Sequence, residues 1–381
     1  MQYQLTDEAL SYFKNAEEET VALIEALCRI PAPSHHEEAR ADFCKAWLEN
    51  IGAEGVVIDE AKNVLFPMGC EGKDDIVLFL AHTDTVFPDR APMPVKKDDE
   101  YIYAPGVGDD TTCLAMLMMV AKYAVTHRFS PSCGILFAAN SCEEGLGNLK
   151  GIRQIMKTYA GRIKKVYAFD AQYTSIVHQT VGSHRYEITV KTEGGHSFGD
   201  FGNQNAIHVA SQMVCRLYEA QLPHKENTKT TYNVGEIRGG TSVNTIAEEA
   251  SFLYEYRSDD AECLAAMQDH FNKEIEKARQ TGADISVTMV GDRPCGGNVD
   301  QEELSSMVNR VADIYKRYTG MPFWCACGST DCNIPMALGI PAIAVGTYLG
   351  DGAHTREEKV LLKSIPVGLK IVAELILGYF K

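Results

Sequence analysis

The chain has 381 residues, more than one hydrophobic core usually organises, so two domains are expected. Hydrophobic residues make up 45% and charged residues 23%, as in an ordinary globular protein, and the net charge of −16 opposes binding to nucleic acid or to an anionic membrane surface. The N-terminus, Met1 to Glu8, is polar and acidic and lacks the pattern of a secretory signal, and the longest apolar run, Leu114 to Ala121, is too short to span a bilayer. The expected location is therefore the cytoplasm, with the twelve cysteines reduced.

Apolar residues at helical spacing between 7 and 30, among them Leu10, Phe13, Val21, Ile24 and Leu27, predict a helix. Ile30-Pro-Ala-Pro33 ends it. Ser34-His-His-Glu37 then has the S-x-x-E spacing of a capping box, so His35 and His36 read as a helix start rather than as ligands. The run Ile76 to Ala81 has no polar alternation and predicts a strand buried on both faces. It leads into His82-Thr-Asp84. Residues two apart on an extended chain point the same way, so Asp84 can stand behind the His82 imidazole and fix its tautomer. Residues 87 to 108 read as a loop. Gly106-Val-Gly108-Asp109-Asp110 then opens a helix through Leu114, Leu117, Met118 and Ala121, with Asp110 as a helix N-terminal carboxylate. This GxG lacks the strand before it and the third glycine that a dinucleotide site needs.

Three more apolar strands follow the same plan. Gly134–Ala139 runs into Glu143-Glu144-Gly145, Lys165–Asp170 ends on an aspartate, and Ile340–Val345 precedes His354. Apolar strands separated by helices indicate an α/β fold with a largely parallel sheet, whose ligands bind beyond the carboxyl ends of the strands. Residues 184 to 290 differ. Their order is strand, helix, two strands, helix, strand, which is that of a ferredoxin-like sandwich. The expected division is residues 1–183 and 297–381 for the catalytic domain, with 184–296 inserted. Cys325-Ala-Cys327 and Cys332 lack paired CxxC spacing and read as buried thiols rather than a structural zinc site.

The strand ends gather His82, Asp84, Asp109, Asp110, Glu143, Glu144, Asp170 and His354. Two like unit charges about 4 Å apart repel by about 4 kcal/mol at an effective dielectric of about 20, so such a cluster protonates, disperses or binds cations. Imidazoles mixed with carboxylates suit zinc, cobalt or manganese better than calcium or magnesium. Two histidines and at least three carboxylates suffice for two ions sharing one bridging carboxylate. The adjacent Glu143 and Glu144 allow one to ligate while the other takes the proton from the attacking water.

In its motifs the chain resembles the di-zinc exopeptidases and deacylases, the family of peptidase T, carboxypeptidase G, acetylornithine deacetylase and succinyl-diaminopimelate desuccinylase. The resemblance rests on His82-Thr-Asp84, Gly108-Asp109-Asp110, Glu143-Glu144-Gly145, Asp170, Gly194-Gly-His196-Ser197, Gly328-Ser-Thr-Asp331 and His354, and covers nearly the whole chain. It implies a zinc-exopeptidase-like catalytic domain with an inserted lid or dimerisation domain. It implies two divalent ions per chain, zinc in the first place with cobalt or manganese as replacements. His82 and Asp170 would bind one ion, Glu144 and His354 the other, and Asp109 would bridge. Asp84 would orient His82, and Glu143 would be the general base. His196 would polarise the scissile carbonyl at a neighbouring active site in a homodimer. Asn244, Arg257 and the Gly328-Ser329-Thr330 turn match places that hold a substrate carboxylate.

Simpler roles exist for several of these residues: a helix cap for Asp170, a turn for His196, a solvated strand charge for Arg257. Thr111-Thr112-Cys113 stand where the family usually has lysine and small residues. The expected reaction is hydrolysis of a small peptide by a tripeptidase-like aminopeptidase. Aspartate at position 170 resembles the aminopeptidase and dipeptidase branch, where deacetylases and carboxypeptidases tend to carry glutamate. An N-acyl amino acid deacylase or carboxypeptidase is the alternative on the same centre. A catalytically silent metal- or peptide-binding protein is the alternative from another class.

Overall fold

The apolar run at 76 forms the strand Ile76–His82, buried along its whole length, and Gly134–Asn140 is buried in the same way. Burial of every residue, rather than every second one, means that both faces of the sheet are covered there. The computed structural model describes residues 3–380. They divide into two units, residues 3–179 with 297–380 and residues 180–296.

The first unit is built on an eight-stranded sheet. Its centre is four neighbouring parallel strands in the order Gly134–Asn140, Ile76–His82, Ile163–Phe169 and Ala342–Val345. Antiparallel strands Val64–Met68 and Ser175–Thr180 flank them. All four central strands run the same way, so their carboxyl ends share one edge. Helices Cys113–Thr126 and Ile365–Leu377, the most apolar of the chain, pack on each other in the core of this unit. No helix among the described residues is long and apolar enough to cross a membrane.

The second unit has its own core. Its sheet has the order Thr230–Gly239, Glu249–Ser258, Gly182–Lys191, Asp284–Arg293, with every pairing antiparallel. Helices Ala206–Tyr218 and Ala261–Arg279 complete a β-α-β-β-α-β order, that of a ferredoxin-like sandwich. This unit begins at residue 180 rather than 184, because pairing with Glu249–Ser258 already starts at Gly182.

Some local readings change. The single helix expected over 7–30 is two, Asp7–Asn15 and Glu17–Cys28, broken at Ala16. Glu17, Glu18 and Glu19 favour a helix N-terminus there, where the helix dipole is positive. The capping box at Ser34 does not form. The helix starts at Glu38, and the side chains of Ser34 and Glu37 turn towards other loops. Cys325 and Cys327 are exposed, because Trp324–Gly328 is the edge strand of the main sheet; only Cys332 is buried. Part of the expected loop 87–108 forms strands Lys96–Lys97 and Tyr101–Tyr103, which join Lys359–Leu361 and Gly350–Asp351 in a small antiparallel sheet.

Candidate metal centre

Three of the four central strands deliver polar residues to the same edge. His82 is the last residue of its strand, Asp170 follows Phe169, and Glu143 and Glu144 lie just past Asn140. Asp109 comes from the turn ahead of helix Cys113–Thr126, and its peptide bond to Asp110 is cis. Gly108 is required in this turn, since a Cβ there would lie 2.6 Å from the hydroxyl of the buried Tyr348. His354 sits in a surface loop with φ of +64°.

Three groups of metal-ligand atoms lie within 4.8 Å of one another: His82, Asp109 and Asp170; Asp109, Glu144 and His354; and His82, Glu143 and Glu144. Asp109 is common to the first two. Its Oδ1 is 2.9 Å from His82 Nε2 and its Oδ2 is 3.0 Å from His354 Nε2. One carboxylate thus serves two imidazoles on opposite sides. Glu144 Oε1 is 3.3 Å from His354 Nε2 but is buried without a partner in hydrogen-bond geometry.

The electrostatics show a cluster short of positive charge. Burial disfavours charge on His82, but the Asp110, Asp109 and Asp84 carboxylates overcome it and hold its pKa well above the ordinary value. The neighbouring carboxylates of Asp109 and Glu144 push His354 up to about 10. Burial works to raise Asp109, yet His354 and His82 pull it far below the usual carboxylate range. Asp170 is pushed up to about 7 by burial and by the Asp109 carboxylate. Both imidazoles therefore attract protons that divalent cations would replace. The donor set of imidazole nitrogens and carboxylate oxygens, with one shared carboxylate and an orphaned buried oxygen, fits such ions.

Behind the ligands stands a layer of buried carboxylates that bind backbone. Asp84 Oδ1 accepts the Glu143 N–H at 2.9 Å, and its Oδ2 accepts the Glu144 N–H at 3.0 Å and the Ser34 hydroxyl at 2.6 Å. The nearest group to His82 Nδ1 is the Asp84 carbonyl at 3.0 Å, with the carboxylate at 3.5 Å. The Asp84 carboxylate thus holds the backbone of the glutamate pair. Asp110 is not a helix cap. It is buried, and its Oδ2 accepts the His82 N–H at 2.8 Å. Glu37 Oε1 accepts the Cys142 N–H at 3.1 Å, one residue before Glu143. Buried Arg40 donates to the carbonyl of Thr83 at 2.8 Å, between His82 and Asp84. Ser34, Glu37 and Arg40 escaped sequence reasoning; the S-x-x-E spacing was visible but pointed to a helix cap.

The remaining expected residues are placed as follows. His196 is exposed in the short strand Gly195–His196, paired with Thr245–Ile246. Its Nδ1 accepts the N–H groups of Phe198 and Gly199, each at 3.2 Å. A neutral ring bonded in that way carries its proton on Nε2, which is then a donor. Asn244 lines the same cavity of the second unit as His196, about 820 Å³ in volume. Arg257 forms a two-pronged ion pair with Glu255, at 3.0 Å in both contacts. Gly328 ends the edge strand. Ser329 and Thr330 follow in the turn, and Thr330 already donates its N–H to Asn333 Oδ1 at 2.8 Å.

Residues 78–378 match the peptidase family M20/M25/M40. The chain is 24% identical over 355 residues to a succinyl-diaminopimelate desuccinylase of Corynebacterium glutamicum, covering 91% of this chain and 92% of that one. A tripeptidase from Staphylococcus aureus has the same fold, with a TM-score of 0.73 and 23% identity over 94% of this chain and 97% of that one. A dinuclear-metal-binding peptidase of Bacillus subtilis is also similar, with a TM-score of 0.66, 17% identity and coverage of 95% and 98%. Family match, fold and a candidate metal cluster at the sheet edge agree: the chain belongs to peptidase family M20/M25/M40 and is a metal-dependent hydrolase of peptide or amide bonds.

Proposed function

We propose that the protein is a dinuclear metallo-exopeptidase of the tripeptidase-like aminopeptidase kind. The observation that carries the dinuclear reading is Asp109, one carboxylate whose two oxygens face two different imidazoles. His82 and Asp170 would hold one ion, Glu144 and His354 the other, with Asp109 shared. Zinc is the first choice, cobalt or manganese the substitutes. Such ions polarise the amide carbonyl and acidify water.

The chain's own groups supply the rest. Glu143, its backbone held by Asp84, takes the proton from the attacking water and passes it to the leaving amine nitrogen. His196, with its proton on Nε2, donates to the carbonyl oxygen as negative charge develops there. In this reading the second unit pairs with its counterpart in a homodimer, and His196 serves the partner chain. Asn244, Ser329 and the Gly328–Thr330 turn would bind the substrate carboxylate. Arg257 would join them only by leaving Glu255.

The residue at 170 favours a free N-terminus, since aspartate there resembles the aminopeptidase branch. The desuccinylase relative supports the alternative, an N-acyl amino acid deacylase or carboxypeptidase. A panel of di- and tripeptides with free and blocked N-termini, together with N-acyl amino acids, separates the readings when assayed with added zinc, cobalt or manganese. The aminopeptidase reading expects release of the N-terminal residue from free tripeptides only. Preferential cleavage of the blocked or acylated compounds would establish the alternative. A chain that binds ions and turns over nothing would be a binding protein.

A further inference from the structure

Glu358 lies in the charged run Thr355-Arg-Glu-Glu-Lys359, which by composition reads as solvated surface. Yet its side chain is only 2% exposed. Its Oε2 accepts the N–H of Gly106 at 2.6 Å, and its Oε1 accepts those of Gly108 at 3.1 Å and Asp109 at 2.9 Å. Three backbone donors of one turn thus converge on one carboxylate, the arrangement by which a loop grips an anion. Its carbonyl also accepts the Ala104 N–H at 3.2 Å, and the small sheet continues the link, Lys359 pairing with Tyr103. On the other side, the Glu358 N–H donates to Thr355, whose N–H and hydroxyl in turn bond Gly352. His354 stands inside this knot.

We propose that Glu358 is a positioning residue that sets Asp109 and His354 at the separation required by the second divalent ion. The proposal rests on the dinuclear reading above. Its logic is one of shared segments. The group Asp109, Glu144 and His354 draws two of its three members from the segments that Glu358 joins. The group His82, Asp109 and Asp170 draws two of its three from strand ends that Glu358 does not touch. Loss of the clamp therefore weakens the second ion more than the first.

Calorimetric titration of metal-stripped protein with zinc chloride tests this, reading affinities rather than turnover. In Glu358→Gln the amide nitrogen faces the Gly106 N–H or loses the paired acceptors, so the turn is released. The expected result is two sites in the parent, and in the variant a second site about 10- to 100-fold weaker with a first site weakened less. Glu357→Gln, at the exposed neighbour, leaves both sites as in the parent. Glu358→Asp keeps the charge but falls one methylene short; it is expected to lose second-site affinity too, and it decides the matter if the glutamine variant shows no cooperative melting. A purely structural cap lowers the melting temperature while both sites keep parental affinity, and that result overturns the proposal. A parent that binds fewer than two ions overturns the dinuclear reading itself, which distinguishes the two failures.

Discussion

Glu143 and Glu144 are adjacent in sequence, equally buried, and both within ligand distance of His82. Distance to His82 does not divide their labour; the membership of Glu144 in the group with Asp109 and His354 supports the proposed assignment of Glu144 as ligand and Glu143 as base. Glu143→Gln is expected to lower kcat by about 10²- to 10⁴-fold with metal content unchanged, the usual worth of a general base. Glu144→Gln is expected to lose bound metal. Elemental analysis of both variants beside their kinetics checks the assignment, and the opposite pattern would exchange the roles. Asp84 makes a second test. Asparagine keeps one acceptor where the carboxylate serves the N–H groups of both glutamates. Asp84→Asn is therefore expected to cost about 10- to 100-fold in activity or metal affinity, and parental values for both would show that the backbone clamp is dispensable. The residues that the structure gathers into candidate ligand groups were legible in the sequence because most of them follow an apolar strand or a glycine turn. The residues behind them were not. Glu37 and Glu358 accept backbone N–H groups far away in the chain, Ser34 donates to the Asp84 carboxylate fifty residues on, and no local spacing records such contacts.

At the scale of elements, buried strands carry the site. Strand Ile76–His82 is paired on both sides with parallel neighbours and ends on a candidate ligand. Its apolar residues hold that end in register. Leu78 is fully buried, and Leu78→Ala is expected to destabilise the first unit by about 2–5 kcal/mol through lost burial and the cavity left behind. Urea unfolding measures this as a lower midpoint; an unchanged midpoint would mean that the strand does not bear on stability. The four central strands could be read from their apolar runs bounded by helical patterns. The small sheet of Lys96–Lys97, Tyr101–Tyr103, Gly350–Asp351 and Lys359–Leu361 could not. Strands of two or three residues show no period, and the pairing that joins the two halves, Lys359–Leu361 with Tyr101–Tyr103, links segments some 250 residues apart in the chain.

For the whole molecule, the proposed homodimer makes a definite prediction. Mixing inactive Glu143→Gln with inactive His196→Ala, under conditions of subunit exchange, should restore activity in mixed dimers if His196 acts across chains. Exchange shown by mass, with activity no higher than that of either parent variant, would mean that the histidine serves its own chain or none. The order of motifs along the sequence disclosed the inserted unit, whereas the assembly depends on surfaces that periodicity does not reveal.

The central claim is that hydrolysis needs two ions sharing Asp109. It is tested most directly by adding zinc, cobalt or manganese stepwise to chelator-stripped protein while following tripeptide hydrolysis. The stripped protein should be inactive, and activity should rise to a break at two equivalents per chain. Full activity without added metal, or a break at one equivalent, would contradict the account.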